Sequence, residues 1–259
     1  MSRMRLDPEA RIPPRTGMRV LNLGCGVKTS DRVEVTNIDW SIYLRLKRNK
    51  AFRLIAPLIL NGDRWNHFCS LPNNIIVHNL SRNIPFESDS VDVVYHSHML
   101  EHLDRDIAAK FLLEVKRVLK PDGICRIVVP NLENAAKAYL EHLSECERSP
   151  GAAKTHDTYV ARLLEQSVRK EASGTSGQKP LRRRLENMLM GDARKRGETH
   201  QWMYDRFNLT HLLERLGFTK ICVQSYKTSL IKDWAAFGLD VDRYGNEYKP
   251  GSLYVEAIK

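Results

Sequence analysis

Cysteine is scarce in this sequence and poorly placed for pairing. The five cysteines, Cys25, Cys69, Cys125, Cys146 and Cys222, are scattered and odd in number. None stands at the Cys-x-x-Cys spacing that a zinc site or redox motif needs, so no metal is expected and a reducing cytoplasm is the expected setting. Long apolar runs are also missing: the longest, Leu54 to Leu60, falls far short of the roughly 20 residues that cross a bilayer. The opening residues MSRMRLDPEARIPPR hold no apolar segment that would serve as a secretory signal. These absences predict a cytoplasmic protein that at most lies on the inner membrane surface.

What the sequence does have is positive charge, unevenly spread. Its 259 residues carry 41 Lys and Arg against 31 Asp and Glu, a formal net charge of +10. Residues 41–62 contain Arg45, Lys47, Arg48, Lys50 and Arg53 and no acid, interleaved with Ile42, Leu44, Leu46, Phe52, Leu54 and Ile55. Residues 161–200 contribute a second basic excess around the loop-like stretch ASGTSGQKP at 172–180. These two segments account for the whole excess, so the rest of the chain is close to neutral. Basic surface of this kind attracts phosphate-bearing or anionic-lipid partners.

The periodicity is that of alternating strands and helices. MRVLNLG (18–24), VEVTNID (33–39), NIIVHNL (74–80), VDVVYHS (91–97) and GICRIVVP (123–130) read as buried strands. Between the last two, Ile107, Phe111, Val115, Val118 and Leu119 recur at helical spacing. After the helix LTHLLERLGF (209–218) come two further strands, TKICVQSY (219–226) and SLYVEAIK (252–259), which suit an antiparallel pair. The pattern predicts an α/β fold: one domain over 1–259 with a doubly wound, Rossmann-like, mostly parallel seven-stranded sheet and an antiparallel last strand. Helical insertions fall at 41–62, a basic apolar lid, and at about 140–199. A ligand of such a sheet lies at the carboxyl ends of the strands, after Gly24, Ile38 and Tyr95.

Gly24 and Gly26 sit in LNLGCG (21–26) at the turn leaving the first strand, where glycine lets backbone approach a ligand and turn sharply into a following helix. Asp39 ends the second strand, where a carboxylate can accept both hydrogen bonds of a ribose diol or, more plainly, cap a helix. The long Gly-x-Gly-x-x-Gly loop of nicotinamide enzymes is not met, because Thr29 stands where its last glycine belongs.

LNLGCG, NIDW (37–40), NLSRNIPFESDSVDVVYHSHMLEHL (79–103) and FLLEVKRVLKPDGICRIVVPN (111–131) together resemble the successive motifs of class I S-adenosylmethionine-dependent methyltransferases of type 11-like pattern. Within these the chain is most similar to small bacterial methyltransferases linked to surface-polysaccharide or lipid-linked glycan synthesis. The resemblance returns at 200–218 and 251–259. It implies S-adenosylmethionine as cofactor, its methionine part along Leu23, Gly24, Cys25 and Gly26 and its ribose on Asp39. Adenine is expected near Leu80, with the Asn79 carbonyl toward the adenine amine, and Trp40 and His96 are counted with the cofactor contacts. Asn22 departs from the acid many relatives carry there.

A methyl acceptor enters after the fourth strand, at His96-Ser97-His98-Met99-Leu100-Glu101-His102. No Asn/Asp-Pro-Pro-Tyr tetrad is present to orient a planar nitrogen acceptor, so a hydroxyl oxygen of a small molecule or glycan is expected. Transfer from a sulfonium is an in-line displacement that needs positioning and a base, and a histidine suits that role. His98 is the first candidate for the base, with His200 and His102 behind it; each also reads as a packed structural histidine. Glu101 reads equally as a loop-orienting group or a substrate contact, Trp202 and Tyr204 as core or as a sugar platform, and Asp92 as a brace of its strand. The lid at 41–62 reads either as a helix packed on its own domain or as a contact for an anionic bilayer or lipid-linked pyrophosphate. Competing functions are a cofactor- or partner-binding module without catalysis and an RNA methyltransferase; nucleic acid is the weaker partner, since no RNA-binding module is recognisable.

Overall fold

The computed structural model describes residues 17–49, 54, 56–57, 62–149, 151–166 and 199–259. The strands are β1 (Val20–Leu23), β2 (Val35–Asp39), β3 (Ile75–Val77), β4 (Val91–Ser97), β5 (Leu119–Pro130), β6 (Thr219–Gln224) and β7 (Ser252–Ile258). The described helices are α1 (Ile42–Arg48), α2 (Asp63–Ser70), α3 (Arg105–Val118), α4 (Leu132–Arg148), α5 (His156–Gln166) and α6 (Arg206–Arg215). The strands form a single seven-stranded sheet in the order β3-β2-β1-β4-β5-β7-β6. Its first five neighbours are parallel, and β7 runs antiparallel to both β5 and β6, as the spacing of the last two strands implied.

The order reverses at β1, which has β2 on one side and β4 on the other. Such a reversal opens a crevice beyond the carboxyl ends of the strands, because the connections leave in opposite directions. Leu23, Asp39 and Ser97 end the three strands there.

Central strands are buried on both faces, which explains their continuous apolar runs. On one face Leu21, Leu23, Val94 and Ile127 pack with Phe111, Leu112 and Val115 of α3 and with Leu209 and Leu213 of α6. α6 starts three residues earlier than its apolar pattern, because Asp205 caps it: its carboxylate accepts from the Phe207 and Asn208 amides, and the Asp205 amide in turn donates to Asn208 Oδ1. On the opposite face Val20, Val93, Tyr95 and Val128 are covered by Ile231, Trp234, Phe237 and Leu239, from a stretch that the sequence marks only as the connection between the last two strands.

That cover is tied down by buried charge. Arg126 of β5, fully buried, donates to Asp240 (2.8 Å) and to Glu256 of β7 (2.6 Å). The Tyr95 hydroxyl donates to Asp240 at 2.9 Å.

One expected element is absent. No helix follows Gly26; residues 24–34 run from β1 to β2 as an irregular loop. Buried amides do the holding instead. Asn22 Nδ2 donates to the Lys28 carbonyl and to Asn37 Oδ1, both at 2.9 Å, while Asn37 Nδ2 donates to the Ser30 carbonyl at 2.9 Å. The stretch contains Val27, Lys28, Thr29 and Ser30 with no apolar residue at helical spacing, so a helix there would have no stripe to bury. Asn22, singled out in the sequence as a missing acid, thus belongs to the frame of this loop.

The lid segment is described in part. α1 buries Leu44 against Cys25, Leu71 and Ile75. Its cations are engaged by the domain itself: Lys47 donates to the Cys69 and Leu71 carbonyls at the end of α2, Arg48 donates to the Ile75 carbonyl at 3.2 Å, and Arg45 lies 4.6 Å from the Trp40 ring centroid. Lys50 and Arg53 lie outside the described residues, as does the stretch 172–180. No described helix is long and apolar enough to cross a membrane.

Candidate active site

At the carboxyl edge of β1 the chain turns through two left-handed glycines, Gly24 (φ 64°) and Gly26 (φ 53°). Side-chain-bearing residues are disfavoured in this region. The turn is clamped to the tip of β2. The Gly24 amide donates to the Ile38 carbonyl at 2.8 Å, the Gly26 amide donates to Asp39 Oδ2 at 2.6 Å, and the Trp40 amide donates to Asp39 Oδ1. Asp39 therefore holds the glycine turn in place through both of its carboxylate oxygens.

A Cβ on Gly24 would come within 2.6 Å of the Met99 side chain, whereas one on Gly26 would meet nothing within 4 Å. The turn thus presents open backbone on one side and a thioether wall from the β4 loop on the other. This is a cradle that S-adenosylmethionine fits: backbone without side chains at Gly24 and Gly26 for its amino-acid end and an acid for its ribose.

The remaining residues expected near the cofactor are less uniform. Cys25 is buried under α1, and burial together with the Asp39 charge pushes its thiol well above its ordinary range, which makes it inert. Leu80 is buried in the core shared with Ile84, and Trp40 stands exposed beside Arg45. Asn79 Oδ1 accepts from both the amide and the hydroxyl of Ser81, at 3.1 and 2.7 Å, so the carbonyl expected to face adenine is engaged in its own turn.

His96 lies in the core, opposite Leu23 in the register of β1 and β4. It is fully buried, its ring edge-on to Phe111 at 5.3 Å, with no hydrogen-bond partner on either nitrogen. Burial drives its imidazole down to about 3. The cause is β4 itself, which is buried on both faces from Val93 to His96.

Past the end of β4 the structure gathers a polar cluster. His98, left-handed at φ 51°, engages the Ser252 hydroxyl through Nε2 at 2.8 Å, and that hydroxyl donates to the Lys249 carbonyl. Ser252 therefore accepts from His98, which leaves Nδ1 as the bare nitrogen, 3.5 Å from Glu101 Oε1. His102 Nδ1 faces the Thr199 carbonyl at 3.2 Å and donates to it, leaving its Nε2 bare at 3.8 Å from the same Glu101 oxygen. His200 stacks edge-on against His102 at 4.8 Å. His98 and His102, four residues apart, and the distant His200 thus meet around one carboxyl group.

Glu101 is fully buried and its carboxyl has no hydrogen-bond partner. Burial raises it to about 8, while burial lowers His98 to about 3 and His102 to about 4. Near neutrality the cluster is uncharged, and the group that titrates there is Glu101. The Lys249 ammonium, lowered by burial, is the nearby cation. Only the spacing His-x-x-Glu-His hinted at this centre in the sequence, because Ser252, Lys249 and Thr199 come from remote segments.

Trp202 and Tyr204 adjoin the cluster. The Trp202 amide donates to the Glu101 carbonyl, Arg105 lies 4.3 Å from the Trp202 ring centroid, and Tyr204 is buried. With Arg105, His211 and Arg215 they line a cavity of about 290 Å³. Asp92 braces its strand, accepting from the Arg19 amide at 2.7 Å and from Lys120 at 2.8 Å.

Solved structures of similar outline include S-adenosylmethionine-dependent methyltransferases from three organisms. That of Methanosarcina mazei is 16% identical, with 98% of each chain covered and a TM-score of 0.44. Those of Aquifex aeolicus (17% identical, 93% of this chain and 81% of that one, TM-score 0.40) and Archaeoglobus fulgidus (13%, 94% and 87%, TM-score 0.39) are comparably distant. No curated protein matches the sequence. The family is carried instead by the sequence, which matches the methyltransferase domain family over residues 3–223. A match over most of the chain, on a fold whose glycine turn and facing acid form the cradle described above, places this protein in that family as an S-adenosylmethionine-dependent methyltransferase.

Proposed function

We propose that this methyltransferase acts on a hydroxyl oxygen of a small-molecule or glycan acceptor, and that Glu101 with His98, His102 and His200 forms its acid-base centre. The observation that carries this reading is the buried, unpartnered Glu101 carboxyl faced by two bare imidazole nitrogens at the mouth of β4. When bound, S-adenosylmethionine supplies an electrophilic methyl group. Leu23, Gly24, Cys25 and Gly26 line the amino-acid end of its cradle, Asp39 takes the ribose, and Trp40, Asn79 and Leu80 flank the adenine side. In the form in which Glu101 has lost its proton, His98 Nδ1 or His102 Nε2 takes the acceptor's proton and hands it to the Glu101 carboxylate, whose elevated proton affinity makes it the final acceptor. His200, packed on His102, closes the site.

The aromatic and cationic cavity at Trp202, Arg105 and Arg215 supports a sugar or anionic glycan, and with it a place in surface-polysaccharide or lipid-linked glycan synthesis at the cytoplasmic face. Peripheral membrane contact through the basic insertions belongs to the same reading, although Arg45, Lys47 and Arg48 are engaged within the fold.

Two measurements test the reading. Calorimetric titration with S-adenosylmethionine should show binding in the wild type and in Glu101→Gln. Methyl transfer over a panel of hydroxyl, amine and RNA acceptors should then show turnover on hydroxyls only, lost in Glu101→Gln. Binding without turnover on any acceptor would favour a non-catalytic module, and turnover on RNA or amines would overturn the oxygen assignment.

A further inference from the structure

Helices α4 and α5 form a hairpin that has almost no apolar seam. Among the described residues of α4 only His142 is buried, and none of α5 is. Leu140, Leu143 and Leu164 stand exposed. Small helical units without a core need another staple. The facing side chains are Tyr139, His142 and Cys146 from α4 and His156 and Tyr159 from α5, with the His142 ring stacked on Tyr159 at 3.8 Å and on His156 at 5.3 Å.

The hydrogen-bond wiring sets the tautomer of His142. The Thr155 hydroxyl donates to the Ala152 carbonyl at 3.0 Å, so it accepts from His142 Nε2 at 3.3 Å. That leaves His142 Nδ1 without a proton of its own, accepting from His156 Nδ1 at 3.0 Å and lying 3.5 Å from Cys146 Sγ. All three donor atoms lie within 4.8 Å of one another. In a tetrahedral zinc site the nitrogen–nitrogen and nitrogen–sulfur edges are roughly 3.3–3.6 Å, from bond lengths near 2.0 and 2.3 Å. His142 and Cys146 are one helical turn apart on α4, the spacing that puts two side chains on one face.

We propose that His142 Nδ1, Cys146 Sγ and His156 Nδ1 bind one zinc ion, which fastens α5 to α4. Two imidazoles and a thiolate form a borderline-soft donor set suited to zinc. The Thr155 hydroxyl is the outer partner that orients His142. On binding, the Cys146 thiol gives its proton to solvent and the sulfur joins the metal as thiolate, while His156 moves its ring proton from Nδ1 to Nε2 so that Nδ1 can ligate. The fourth position belongs to water. Glu141 and Glu145 line a cavity of about 540 Å³ that includes His142 and give a cation its way in. Because the ligands follow a His-x3-Cys-x9-His spacing, a search for Cys-x-x-Cys pairs passes over them.

The test uses the full chain and zinc alone. Elemental analysis of metal-loaded, desalted protein should give one zinc per chain in competition with a chromophoric chelator. Cobalt substitution should give a sulfur-to-cobalt charge-transfer band, which reads only a site containing a thiolate. Cys146→Ser, at a half-buried position that tolerates the change, should lose both the zinc and the band, and His156→Ala should lose the zinc. Thr155→Val should weaken zinc binding about 10-fold while keeping its stoichiometry. Zinc should also slow limited proteolysis between α4 and α5 in the wild type and have no effect in Cys146→Ser. Folded wild type that takes up no zinc, or a Cys146→Ser variant with undiminished zinc and band, would overturn the proposal. None of these readouts depends on the methyl acceptor.

Discussion

At the scale of single residues, the site is governed by what burial does to protons. Glu101 is raised to about 8 from 4.5, and His96 is lowered to about 3 from 6.5 by burial alone. Between pH 4.5 and 8 the folded chain keeps a proton on Glu101 that the unfolded chain has released, so this group's contribution to stability falls as pH rises through that window. Between pH 3 and 6.5 the unfolded chain binds a proton at His96 that the folded chain refuses, so stability falls as pH drops. His98 and His102 act in the same direction as His96. The denaturation midpoint should therefore peak at about pH 6.5, where the histidine slope ends and the Glu101 slope remains. Glu101→Gln should flatten the alkaline side of that curve, as urea titrations from pH 5 to 9 would show.

The same carboxyl sets the activity profile. Turnover should climb as Glu101 loses its proton toward pH 8, and Glu101→Gln should lower it by about 10²–10⁴-fold with cofactor affinity retained. His98→Asn, which tolerates the left-handed backbone, should lower turnover without lowering the cofactor affinity measured by calorimetry. Gly24→Ala combines a left-handed φ with a collision against Met99. It should cost about 1–2 kcal/mol of stability and weaken cofactor binding as Met99 is displaced.

At the scale of elements, the helix-less connection between β1 and β2 is the point most open to test. A helix would have positioned the glycine turn through its own backbone bonds, whereas here the buried Asn22 and Asn37 side chains fix it through three hydrogen bonds. Asn37→Leu strands the partner groups on Asn22 and Ser30, and should cost about 1–3 kcal/mol. Hydrogen exchange should show residues 24–34 opening before the rest of the sheet, with cofactor affinity falling in parallel. The strands and α3 were legible because alternating burial and helical spacing are local signals. The missing helix was not, because a strand-glycine-strand pattern is written alike whether the connection is helical or irregular.

At the scale of the whole molecule, one face of the sheet is sealed by a long connection that charge anchors. Arg126 pairs with Asp240 and Glu256 with all three side chains nearly or fully buried. Removing the cation alone leaves two buried carboxylates uncompensated, so Arg126→Met should destabilise by about 3–5 kcal/mol. The Trp234 fluorescence should move to the red as the segment leaves the sheet, since its ring now packs on Tyr95.

Local pattern alone settled the parallel sheet, the glycine turn and the facing Asp39, because each is a short-range consequence of backbone periodicity or of the residue needed at a turn. Grouping was beyond it. That His200 joins His98, His102 and Glu101, that His96 sinks into the core, and that His156 folds back onto His142 and Cys146 across a hairpin depend on contacts between separate elements. Such contacts, and the loss of water that shifts the protons, exist only once the layers have closed over them.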